Sequence, residues 1–118
     1  MKTTEQGTYF NLNYLNQISG GDEVFVSELT KTFLTQTPEM VHELEYAINQ
    51  NDHGKVQFLA HRLKTSCEIM GMMFASAICL LLETAAHQKQ DLSGLKSEAS
   101  KLIHQLSVST RELTGVAA

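Results

Sequence analysis

The sequence predicts an all-α protein: an up-and-down antiparallel four-helix bundle with one or two additional N-terminal helices. Three observations predict it. The chain has a single proline. Its apolar residues recur at spacings of three and four, with none of the alternation or β-branched enrichment of a strand. The breaks between apolar segments are short, which favours antiparallel neighbours.

Each element can be read in turn. Leu12, Leu15 and Ile18 suggest a short first helix closed by Gly20-Gly21. Asp22 can cap a second, with Phe25, Leu29 and Phe33 on one stripe. Thr37 as cap, Pro38 at the first helical position and Glu39 near the positive helix end predict a third. Its buried stripe is Val41, Leu44 and Ile48. "NQND" breaks the chain, and Asp52 caps a fourth helix reaching about Gly71. A fifth runs from Phe74 to His87 through Ala77, Ile78, Leu81 and Ala85. After "QKQD", a sixth carries Leu95, Ala99, Leu102, Leu106 and Leu113.

Bulk properties narrow the function. A chain of 118 residues can bury one core without a disulfide or metal, so one domain is expected over 1–118, with its core over about 12–113. The formal charge is −4, and the nine Lys and Arg residues form no run. Sequence-independent binding to nucleic acid or to an anionic membrane needs a basic footprint, so both are excluded. The N-terminal "MKTTEQGTYF" lacks the apolar centre of a signal peptide. The longest uncharged stretch, Ile69 to Leu82, is too short and too interrupted to span a bilayer. Cys67 and Cys79 match no disulfide framework or zinc spacing, and free thiols suit a cytoplasmic protein. The one Glu-x-x-His step, "EMVH" at 39–42, has no second copy to complete a bundle metal site.

The informative stretch is "AHRLKTSCEIMG", residues 60–71. At about 100° per residue, Val56, Leu59, Ala60, Leu63, Cys67 and Met70 cluster on one face and form the core stripe. His61 falls outside it, among Gln57, Lys64, Thr65 and Glu68, with Lys64 one turn along. Phe58 and Ile69 lie almost opposite the core, on the side of His61 away from Lys64. Two apolar residues there predict a second contact surface. Either the first helix covers them, or part of the patch stays open for a partner. His42, His53, His87 and His104 lack such company and read as surface residues.

The stretch resembles the signature of histidine-containing phosphotransfer (HPt) domains. That signature has a histidine, an apolar residue two on, a lysine three on, small or polar residues next and a glycine ten on. Here these are His61, Leu63, Lys64, Thr65, Ser66-Cys67 and Gly71. A Leu-Glu pair one helix later, Leu82-Glu83, also agrees, and the resemblance extends from about Leu12 to Leu113.

The resemblance implies a phosphocarrier in two-component signalling. His61 would accept a phosphoryl group from the aspartate of one receiver domain and pass it to the aspartate of another. The partners implied are response-regulator receiver domains and the receiver of a hybrid histidine kinase. No autokinase activity and no bound cofactor are implied, Mg²⁺ residing on the partner receiver. Lys64 would stabilise phosphoryl charge, and Glu83 occupies the position from which a polar side chain can orient the imidazole. The alternative for Glu83 is that it merely faces water. Gln57, Phe58, Arg62, Thr65, Glu68 and Ile69 are the candidate partner-binding residues. Thr65 departs from the family pattern, where glycine usually follows the histidine by four, and its bulk puts partner choice in question. A cytoplasmic monomer is expected, and a stand-alone protein rather than part of a hybrid kinase. The competing expectation is a helical adaptor that docks receivers or kinases without phosphotransfer.

Overall fold

The computed structural model describes residues 6–117. The first five residues of the polar N-terminal stretch lie outside them. Five α-helices follow one another: α1 (Asn13–Ile18), α2 (Glu23–Asn49), α3 (His53–Ile69), α4 (Met73–His87) and α5 (Lys96–Ala117). A 3₁₀ turn at Leu92–Leu95 leads into α5. The four long helices form the predicted up-and-down bundle: α3 packs between α2 and α4, and α5 closes the ring between α4 and α2. No described helix is long and apolar enough to cross a membrane.

The polar starts work as read. Asp22 accepts from the backbone N–H groups of Val24 and Phe25, and Asp52 from that of Lys55. Each carboxylate satisfies donors that the first turn leaves unpaired and sits at the positive end of the helix dipole.

One boundary is corrected. The expected second and third helices are a single helix, and Pro38 lies inside α2 rather than at a helix start. Proline removes one backbone hydrogen bond and costs a helix interior about 3 kcal/mol. The opposing term is burial. Thr30, Phe33, Thr37, Met40, Leu44, Ala47 and Ile48 make one stripe with unbroken three-four spacing across the proline. Each large apolar member contributes roughly 1.5–3 kcal/mol when buried, so keeping the stripe in register outweighs the lost bond. Pro38 itself points to solvent, while Thr37 is buried in the stripe instead of capping.

Two stripes are also corrected. Phe25, expected in the core, is exposed at the start of α2. In α4 the buried face is Ala75, Ser76, Cys79, Leu82, Ala85 and Ala86, whereas Ala77 and Leu81 are exposed. Almost every α4 residue is apolar or small, so periodicity could not choose a face. Cys67 of α3 and Cys79 of α4 are buried together, and the Cys79 thiol and burial push the Cys67 thiol up, out of the reactive range.

The N-terminal segment straps the bundle end that carries the α3–α4 turn. Phe10, Leu12 and Leu15 are buried, and the Asn11 N–H donates to the Met70 carbonyl at 3.1 Å. Thr8 donates its N–H and its hydroxyl to the Glu112 carboxylate of α5. The strap passes so close to Gly71 that a Cβ there would collide with the Asn11 carbonyl. Gly71 also has φ +69°, the left-handed conformation that ends α3. The glycine that closes the 60–71 stretch therefore has a double steric reason.

Candidate functional site

His61 lies in the middle of α3, its inner neighbours Ala60 and Leu63 fully buried and its own side chain 61% exposed. The helix holds the backbone by its core stripe and offers the imidazole to solvent. Across the groove, α4 presents Glu83, and its carboxylate joins two groups of α3. Oε2 lies 2.7 Å from His61 Nδ1, and Oε1 accepts from Lys64 Nζ at 2.8 Å. Lys64 and Glu83 are each about one-fifth exposed, so the ion pair is mostly withdrawn beneath the imidazole.

This geometry has electrostatic consequences. The Lys64 ammonium, and after it the His61 hydrogen bond, hold the Glu83 carboxyl below its usual range, while Glu83 holds Lys64 above its own. Glu83 is thus ionised at neutral pH and can only accept hydrogen bonds. In the neutral imidazole, Nδ1 must then carry the proton and donate it to Glu83. The lone pair is left on Nε2, the nitrogen remote from the carboxylate. Such an imidazole is a ready nucleophile with a fixed ring and a fixed tautomer.

The other predicted site residues divide by side. Gln57 and Glu68 share the Lys64 side and reach α4, Gln57 Nε2 lying 3.3 Å from His87 Nδ1 and Glu68 accepting from the Ser76 hydroxyl at 3.4 Å. With His61–Glu83 and Lys64–Glu83, these pairs step along the two helices in antiparallel register. Phe58, Arg62 and Ile69 lie on the opposite side. Phe58 is 57% exposed, so α1 does not cover it, and the Arg62 guanidinium sits 5.6 Å from its ring centroid. Ile69 is half-buried in a shallow groove between α2 and α3 lined also by Leu29, Phe33 and Met40. Thr65 is exposed one turn beyond His61, its hydroxyl 3.4 Å from the His61 carbonyl.

The pairing of His87 and Ser76 with α3 emerges only in the folded chain. The available signal was their spacing: Ser76 lies seven before Glu83 and His87 four after it, which puts all three on one face of α4. His53, expected to be a plain surface residue, is half-buried, with Nε2 against the Gln90 carbonyl at 2.6 Å. The His104 ring meets Tyr9 edge-on.

The Hpt domain family model matches residues 28–110, most of the chain and all of the site. The chain belongs to the Hpt domain family. Two solved structures share the fold of this Hpt domain. One is histidine-containing phosphotransfer protein B (HptB) from Pseudomonas aeruginosa PAO1, with TM-score 0.82 at 17% identity, covering 95% of this chain and 96% of that one. The other is the HPT domain of the Hpt sensor hybrid histidine kinase from Shewanella, with TM-score 0.82 at 20% identity and 92% of each chain covered. No curated protein matches the chain. Membership gives this Hpt domain a phosphotransfer role in two-component signalling.

Proposed function

We propose that this Hpt domain is a His–Asp phosphorelay intermediate with His61 as phosphoacceptor. The observation that carries the reading is the Glu83 carboxylate on Nδ1, which leaves the exposed Nε2 as the nucleophile. Nε2 attacks the phosphorus of a receiver's aspartyl phosphate. The N–P bond forms as the P–O bond to the aspartate breaks, and the carboxylate leaves with the electron pair. The imidazole gains positive charge in this step, and the Glu83 carboxylate beside Nδ1–H stabilises it. Transfer to a second receiver's aspartate reverses these events.

Lys64 answers the charge on the peripheral phosphoryl oxygens. Its flexible chain lets the ammonium turn from Glu83 toward the phosphoryl group while remaining near both. Receiver domains of response regulators and of a hybrid histidine kinase are the partners this reading requires. A partner that is itself a folded domain needs the histidine on an exposed helix face, and the His61 side chain on α3 is 61% exposed. Phe58, Arg62, Thr65 and Ile69 on one flank, with Gln57 and Glu68 on the other, make the surface that meets the receiver.

The test is incubation with phosphorylated receivers. The wild-type chain should gain an acid-labile, base-stable phosphate, and His61→Gln should gain none while still binding the receiver. A His61→Gln chain that keeps its full signalling effect would make the protein an adaptor instead.

A further inference from the structure

The outward side of α4 is not built like a solvent face. Met73, Phe74, Leu80 and Leu81 are 65, 80, 51 and 44% exposed, and Ala77 and Thr84 between them are exposed too. Phe74, Ala77, Leu81 and Thr84 follow the three-four-three spacing of a helix-pairing seam, with Met73 and Leu80 along one edge. A helix that is apolar nearly all round is normally buried nearly all round, yet among the described residues α4 packs mainly against α3, α5 and the 3₁₀ turn, which leave this side exposed.

We propose that this seam pairs two copies of the chain, α4 against α4 across a two-fold axis, in a dimer that leaves both His61 side chains free. Two features favour a second copy. The first is charge. The chain carries −4 overall, and α2 exposes Glu39, Glu43 and Glu45, so an approach of two copies through their α2 faces brings like charges together. Glu83 is the single Asp, Glu, Lys or Arg in α4; it points into the α3 groove and is neutralised by Lys64. The α4 face is thus a surface on which two acidic copies meet without repulsion.

The second feature is shape. In an antiparallel pairing centred between Ala77 and Leu81, the Leu81 of each copy lies over the small Ala77 of the other, and Phe74 lies beside Thr84. A surface that is its own complement is what a two-fold interface requires. The seam is also turned roughly 140° around α4 from Glu83, so a receiver aligned on His61 faces a different side. The dimer replaces the monomer expected from sequence and does not depend on the phosphotransfer reading.

An interface one helix wide falls at the small end of specific contacts, about 1,000 Å² in total, so association should be weak and concentration-dependent. Sedimentation of the full chain from low micromolar to several hundred micromolar should show a monomer passing to a doubled mass. Leu81→Glu should raise the dissociation constant at least tenfold, with unchanged helical circular dichroism and unchanged phosphate uptake. Phe74→Glu, at the more exposed position, should do the same and guards against a folding defect in the first variant. A wild-type chain that stays monomeric throughout overturns the proposal. So does self-association indifferent to both substitutions, or a monomeric chain whose Leu81→Glu variant loses receiver binding, which would assign the face to the receiver.

Discussion

Glu83 Oε2 sits 2.7 Å from His61 Nδ1, and a carboxylate kept ionised by Lys64 can only accept there. This one contact chooses which imidazole nitrogen is free. Nitrogen NMR of the imidazole should therefore show the proton on Nδ1 at a pH where the ring is neutral. In Glu83→Ala both tautomers should appear, and transfer should slow by about tenfold or more, the scale on which a positioned acid-base partner acts. A wild-type ring protonated on Nε2 would sink the assigned nucleophile.

Lys64→Ala should leave the fold intact, since Leu63 and Cys67 hold this part of α3 in the core. Transfer should fall by about tenfold to a hundredfold, with little change in receiver affinity. Equal rates in the variant and the wild type would remove its role.

The same pair sets the pH behaviour. Glu83 is lowered in the folded chain, so its stabilising contribution is present above the ordinary glutamate value of about 4.3 and is lost as pH falls through the lower folded value. Lys64 is raised, so its contribution is complete below the ordinary lysine value of about 10.4 and is lost above the folded one. The pair should thus stay intact across the neutral range. Carbon NMR of the Glu83 carboxyl should give a midpoint below the ordinary value, moving up in Lys64→Ala. A midpoint that stays put in that variant would contradict the ion pair.

Phe58→Glu should weaken receiver binding by about tenfold, near the threshold for an interface anchor. Helicity should be unchanged, because Phe58 is mostly exposed and touches Arg62 rather than the core. Calorimetry with the free receiver checks it, and unaltered affinity would place the docking contacts elsewhere.

Gly71→Ala should lower stability by several kcal/mol, combining left-handed strain of about 1–3 kcal/mol with displacement of the N-terminal strap. Thermal melting measures it. A melting temperature within a degree of wild type would mean that Asn11 is not held against the turn.

The legible and the illegible parts differ in a consistent way. The caps at Asp22 and Asp52, the core stripe of α3, the outward placement of His61 and the position of Lys64 off that stripe could be read in advance. Each depends on residues within one or two turns. Pro38 misled because its local preference for a helix start is strong, while the stripe that overrides it spans Thr30 to Ile48. In α4 the pattern was silent, since too few polar residues marked an outside.

By itself the sequence determined the helical class, the exposed histidine and the lysine one turn away, because helical periodicity alone sets those positions. The tertiary structure decided the chemistry of the imidazole. Glu83 is twenty-two residues from His61, and only the register of α4 against α3 brings its carboxylate to Nδ1 and Lys64 together. The register comes from packing between the buried faces of the two helices, which is a property of the assembled bundle.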